Sequence, residues 1–173
     1  CAVQALYQWQ MTGQNLNVIE RQFHEEQRLK NAQKNYFIDL FHGVPKQFLT
    51  KGDPYHCQCQ KTTRLLRERL GWNDTDLVTT FQSKFGPEEW LKPYTVDHVA
   101  DLAKQGKKSI AVVAPAFSAD CIETLEEIND EIRESFEHAG GESFTYIPCL
   151  NDDDAHIAAL AKVIEENLQG WLD

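Results

Sequence analysis

The chain has 173 residues, of which 42% are hydrophobic and 25% charged, enough for one respectable core with an appendage and too apolar for disorder to be the default. Seventeen Lys and Arg against 27 Asp and Glu leave a net charge of −10, a field that draws cations and repels phosphates, so nucleic acid is not an expected partner. No run approaches the ~18 consecutive apolar residues of a membrane span and no basic leader opens the chain, so it reads as cytoplasmic with room for peripheral membrane association.

In chain order, Ala2, Leu6 and Trp9 form one apolar stripe and Val18, Ile19 and Phe23 another, with Gly13, Asn15 and Asn17 between them. Two short amphipathic helices are predicted, neither able to bury its face alone. Tyr36, Phe37, Ile38, Leu40 and Phe41 then form an apolar run that suits a helix end or a buried strand, and a strand is expected for its last few residues. Gly52-Asp53-Pro54-Tyr55 is turn chemistry, and Thr62 to Leu70 reads as a basic amphipathic helix closed by Gly71.

Leu77 to Phe81 is a β-branched strand, Val96 to Lys104 a helix, and Ser109 to Ala114 a strand of the fully buried kind. Ser118 to Ala139 is expected as one long acidic helix ending at Gly140-Gly141, followed by a strand over Phe144 to Ile147 and a helix over Ala155 to Leu168. Strands near 37 to 42, 77 to 81, 109 to 114 and 144 to 147 alternating with helices imply βαβ units. The expected fold is α/β, a parallel sheet with helices on both faces, preceded by a short all-helical segment.

Five cysteines at irregular spacing argue against a disulfide framework. Cys57 and Cys59 with His56 could bind soft metal, but no second pair matches them, and thiols at a helix start are the plainer reading.

Sites in open α/β sheets lie beyond the carboxyl ends of the strands. Two segments qualify: His42, after the first apolar run, and Asp120 to Glu131, after the strand ending at Ala114. Glu123, Glu127 and Glu131 recur four apart, and like charges stacked on one helix face need compensation. They form either a solvated acidic face or a ladder passing divalent metal or protons toward a site at the helix start. His42 alone suits a loop histidine as well as a ligand.

The run His42-Gly43-Val44-Pro45-Lys46, then Lys51-Gly52-Asp53-Pro54-Tyr55 and Cys59, resembles the segment around the active-site histidine of ferrochelatases. Phe81-Gln82-Ser83-Lys84-Phe85-Gly86-Pro87 with Trp90-Leu91 and Pro93-Tyr94-Thr95 continues the resemblance, as do Pro115-Ala116-Phe117 with Asp120 to Glu127, and Tyr146-Ile147-Pro148-Cys149-Leu150-Asn151. Ordered motifs over residues 42–173 carry far more weight than a lone short one. The resemblance implies a Rossmann-like chelatase domain that inserts ferrous iron into a porphyrin in haem biosynthesis. It implies that His42 binds the incoming metal or takes pyrrole protons, that Glu123 is its partner across the porphyrin, that Glu127 and Glu131 continue an acidic metal path, and that Trp90 packs on the macrocycle. Porphyrin and ferrous iron are then substrates, and no redox or nucleotide cofactor is required. No iron–sulfur cluster is expected, since the chain stops at Asp173 without the cysteines of a C-terminal extension.

The head reads differently. Cys1 to Gln10, with Tyr36-Phe37-Ile38-Asp39-Leu40 and Gly43-Val44, resembles the start of the transcription antitermination factor NusB, an all-helical RNA-binding protein. The expected division is a helical fragment over residues 1–38 and a ferrochelatase C-terminal domain over 39–173, a chimera truncated at its front. The head lacks the basic cluster that RNA contact would need.

Overall fold

The β-prone stretch Tyr-Phe-Ile-Asp-Leu-Phe-His forms β1 (Tyr36–His42), so the strand expected at its end extends over the whole run. The structure, a computed structural model, describes residues 36–171; the two helices expected ahead of β1 lie outside the described residues. After β1 come α1 (Lys46–Thr50), α2 (Tyr55–Leu70), β2 (Leu77–Gln82), α3 (Thr95–Lys104) and β3 (Ser109–Val113). A π-helix (Glu123–Ile132) runs directly into α4 (Arg133–His138), and β4 (Ser143–Ile147) and α5 (Asp154–Asn167) complete the fold. β1 crosses the boundary expected after residue 38.

All strand pairs are parallel, in the order β2-β1-β3-β4. The chain steps outward from β1 to β2, then returns over β1 to β3, and right-handed crossovers in opposite directions put their helices on opposite faces. The alternation of β1 shows both faces. Ile38 and Leu40 join Ile110, Val112, Val99, Leu102, Ile128, Ile132 and Phe136 in the larger core, while Phe37 packs with Leu66, Leu70, Leu77, Trp72 and Val113 on the other side. By the same period of two, His42 belongs to the Ile38–Leu40 side, where the π-helix lies.

Two helix boundaries differ from expectation. α2 starts seven residues before Thr62 because Pro54 opens it and the Asp53 carboxylate accepts the Tyr55 N–H at 2.8 Å; it ends where Gly71 adopts φ +67°, a left-handed cap that glycine takes without steric cost. The long acidic helix expected from Ser118 begins only at Ile122. Asp120 is held by distant partners there, and the winding that follows is π rather than α over ten residues. Short π segments are rare and concentrate at functional sites. Among the described residues no helix is long and apolar enough to cross a membrane.

Asp39 interrupts the apolar run at mid-strand and is completely buried. Thr63 Oγ1 donates to its Oδ2 at 2.6 Å, and Thr79 Oγ1 donates to Thr63 at 2.6 Å. Asp39 Oδ1 has no partner, and the Arg67 guanidinium is committed to the Leu77 carbonyl. A buried carboxylate with so little compensation favours its neutral form: burial pushes the Asp39 pKa to about 7, against the opposing pull of Thr63 and Arg67.

Candidate active site

β1 ends by delivering His42, half-buried, to the carboxyl edge of the sheet. Its Nδ1 lies 2.7 Å from the Gly43 carbonyl oxygen. Since that oxygen can only accept, Nδ1 carries a hydrogen, which leaves Nε2 as the ring nitrogen available to a substrate. Two further contacts fix the turn. Tyr55 donates its hydroxyl to the His42 carbonyl at 2.8 Å, and the Gly43 N–H donates to Gln82 O at 2.8 Å. A Cβ on residue 43 would fall 2.6 Å from Gln82 O and 3.2 Å from the Trp90 ring, so glycine is a packing requirement here.

Trp90 is half-buried beside that turn. Its Nε1–H donates to the Phe85 carbonyl at 2.7 Å, its backbone bridges to Pro45, and its ring meets Phe85 edge-on at 5.9 Å between centroids. Phe85 and Ile122 are 68% and 67% exposed, an apolar rim against which a flat ligand could lie.

The loop before the π-helix is tied down across the sheet edge. Asp120 N–H donates to Asn151 Oδ1 at 2.8 Å while Asn151 Nδ2 returns a bond to Asp120 Oδ2 at 2.7 Å. Asp120 Oδ1 also accepts from the Tyr146 hydroxyl at 2.5 Å and from Thr124 Oγ1 at 3.1 Å. Burial alone would raise the Asp120 pKa, but the bonds from Asn151, Tyr146 and Cys149 outweigh it and leave the carboxyl below its ordinary value. Three residues on, half-buried Glu123 begins the π-helix. Hydrogen bonds from the Cys121 thiol and from its own backbone N–H hold the Glu123 carboxyl below its usual range, and the nearby His42 adds to this.

His42 and Glu123, eighty-one residues apart in sequence, therefore come within electrostatic reach of each other. That pair can share a cation, or pass a proton from a substrate to solvent.

Glu127 faces the end of β2. Its carboxylate accepts from Gln82 Nε2 at 3.0 Å, the Ser83 N–H at 2.9 Å and Ser83 Oγ at 2.7 Å. A cavity of about 380 Å³ lies behind this contact, lined by Glu127, Glu131, Gln82 and Tyr94 among others. A second, of about 360 Å³, runs along the helix past Glu123, Glu126, Glu127 and Glu131. Among the described residues no three His, Cys, Asp or Glu side chains converge as a ready-made metal cage. The expected metal-binding residues stand instead as a pair at the strand end and a row along the helix.

Comparison with known proteins gives the family. The ferrochelatase family profile matches residues 2–168. The chain belongs to the ferrochelatase family. A ferrochelatase of Rhodobacter capsulatus is 74% identical over 143 residues, covering 83% of this chain and 41% of the relative. One from Allorhizobium ampelinum is 61% identical over 135 residues (78% of this chain, 39% of the relative), and one from Marinobacter nauticus 56% over 142 (82% and 38%). The chain spans about two fifths of the length of these ferrochelatases.

Several residues that shape this candidate site stood in the quoted motifs but were given no role from sequence. Gln82 and Ser83 anchor Glu127, Cys121 bonds Glu123, and Asn151 with Tyr146 holds Asp120. All lie at carboxyl ends of strands or in the loops just beyond, which is the positional signal that could have found them.

Proposed function

We propose that this chain carries the metal-handling wall of a ferrochelatase and takes part in inserting ferrous iron into a porphyrin. The observation that carries the proposal is the meeting of His42, whose Nδ1 is bound to the Gly43 carbonyl, and an ionised Glu123 at the edge of an apolar rim. A flat macrocycle lying on Phe85 and Trp90 would present its pyrrole nitrogens to that pair. His42 Nε2 takes a pyrrole proton or ligates the incoming iron; Glu123 balances the charge that forms. Glu131 and the other carboxylates of the helix offer hard oxygen ligands to a cation on its way in. Glu127 already accepts three hydrogen bonds, so it contributes more to fixing the β2 turn than to binding metal.

Porphyrin and iron are both substrates in this reading, which needs no redox or nucleotide cofactor, works in the cytoplasm and allows peripheral membrane contact. Insertion requires the flat ring to be bent, and bending draws on binding energy from both sides of the macrocycle. Residues 36–171 supply one side. The chain alone is therefore expected to turn over far more slowly than a ferrochelatase of full family length, tenfold for each ~1.4 kcal/mol of transition-state stabilisation lost. RNA binding by a NusB-like head is the weaker reading, since the family match runs from residue 2 and the head has no basic cluster.

The test is an anaerobic porphyrin metallation assay with ferrous iron, and with zinc in parallel, comparing the wild type with His42→Ala. Measurable insertion that falls at least tenfold in the variant supports the proposal. Equal rates in the two would remove His42 from the chemistry, and tight RNA binding without porphyrin binding would favour the alternative.

A further inference from the structure

The carboxylate-lined cavities hold one basic side chain. Lys84 lines both of them, and neither lining includes another Lys or Arg. Its ammonium rests 5.3 Å from the centre of the Tyr94 ring and forms no ion pair among the described residues, although Glu123, Glu126, Glu127 and Glu131 share the second cavity with it. Lys46 and Lys92, by contrast, pair with Glu89, and Lys108 with Glu142.

The base of the Lys84 side chain is placed firmly. Ser83, just before it, adopts φ +63°, a left-handed conformation that a serine reaches only at a cost in backbone energy. The two bonds from Ser83 to Glu127 hold that conformation. The turn aims Lys84 at the cavities while its flexible stem leaves the ammonium free to swing. Beside it, Gln82 is 6% exposed and its Oε1 has no partner, a buried acceptor at the cavity wall that a cation or its bound water would satisfy.

We propose that Lys84 is a tethered counter-cation for this carboxylate cavity, which an entering divalent ion must displace, so that the cavity selects divalent over monovalent cations. The proposal rests on the reading of the cavity as the route of the metal substrate. A monovalent ion brings no more charge than the ammonium tethered at the cavity and lacks the tether. A divalent ion is attracted twice as strongly at the same distance, and the ammonium can settle on the Tyr94 ring, its position in this structure, as the ion arrives.

The test is a titration of cobalt(II), followed by its visible absorption and by calorimetry, into the full chain as wild type, Lys84→Gln and Lys84→Arg. Each is measured at low and high ionic strength and with added potassium. Expected is binding about three- to tenfold tighter in Lys84→Gln at low salt, shrinking to less than about twofold at high salt as screening removes the repulsion. Lys84→Arg should behave as wild type, and potassium should compete with cobalt measurably only in Lys84→Gln. Equal cobalt affinity in Lys84→Gln and wild type at low salt would overturn the role of Lys84 and leave the metal route standing. Absence of cobalt binding in the wild type would overturn the route, and this proposal with it.

Discussion

Asp39→Asn should change how the stability of the fold depends on pH. In the folded protein the Asp39 carboxyl is fully buried, accepts one hydroxyl bond and has its pKa raised from 3.8 to about 7. A group that holds its proton more tightly when folded contributes stability that is complete below the unfolded pKa and is lost as pH rises through the folded one. Between pH 5 and pH 7 the unfolded carboxyl has released its proton while the folded one keeps it. Two pH units at ~1.4 kcal/mol each give roughly 2.5 to 3 kcal/mol lost from this one group by pH 8. Asparagine cannot ionise, keeps an oxygen for Thr63, and leaves an amide N–H where Oδ1 now stands, at a cost of ~1 kcal/mol or more at every pH. The assay is urea unfolding of both proteins at half-unit steps from pH 5 to 8. The wild-type curve should fall relative to that of the variant by about 2.5 kcal/mol across the range, with most of the change before pH 7. Histidines that titrate in the same window affect both proteins equally and cancel in the difference. Parallel curves would refute the claim that Asp39 is protonated in the folded state.

Three further perturbations test separate parts of the structure. Gly43→Ala forces a methyl to 2.6 Å from the Gln82 carbonyl oxygen and should destabilise the fold by ~1–3 kcal/mol, with a change in Trp90 fluorescence that a remote glycine substitution would not produce; an unchanged melting curve would show that the turn relaxes freely. Asp153→Ala removes the carboxylate that caps α5 through Ala155 N–H at 2.9 Å, and thermal unfolding should report a loss of about 1 kcal/mol. Asp120→Asn keeps the shape but weakens the bonds from Tyr146 and Asn151. Acid unfolding should tell the two apart: Asp120 has a lowered pKa, so its contribution is present above the unfolded carboxyl range and lost as pH falls, and Asp120→Asn should show a shallower loss of stability between about pH 5 and pH 3.

The sheet was legible because its signals are local. Leu77 to Phe81 and Ser109 to Ala114 are β-rich runs bounded by turns, and β1 followed once a parallel sheet demanded a strand rather than a helix at residues 36–41. The acidic segment misled because its boundary is set at a distance: Asp120 is engaged by Asn151 and Tyr146, about thirty residues on, and nothing in the local periodicity announces a π-helix. Asp39 was passed over within the apolar run, and its partners Thr63 and Thr79 come from α2 and β2 and are visible only in three dimensions. At the site, the spacing of Glu123, Glu127 and Glu131 suggested one row, and the cavity beside the π-helix does line up all three. That Glu127 is occupied by Ser83 and Gln82 was beyond the reach of spacing.

The central claim is that His42 and Glu123 act as one unit on a metal entering a porphyrin. A double-mutant cycle tests it most directly: initial rates of zinc and ferrous iron insertion for wild type, His42→Ala, Glu123→Gln and the double variant, all at one porphyrin concentration. Residues that work together lose their joint function once, so the double variant should be slowed about as much as the slower single variant. Losses that multiply would show two independent sites, and rates unaffected by either substitution would place the chemistry elsewhere in the molecule.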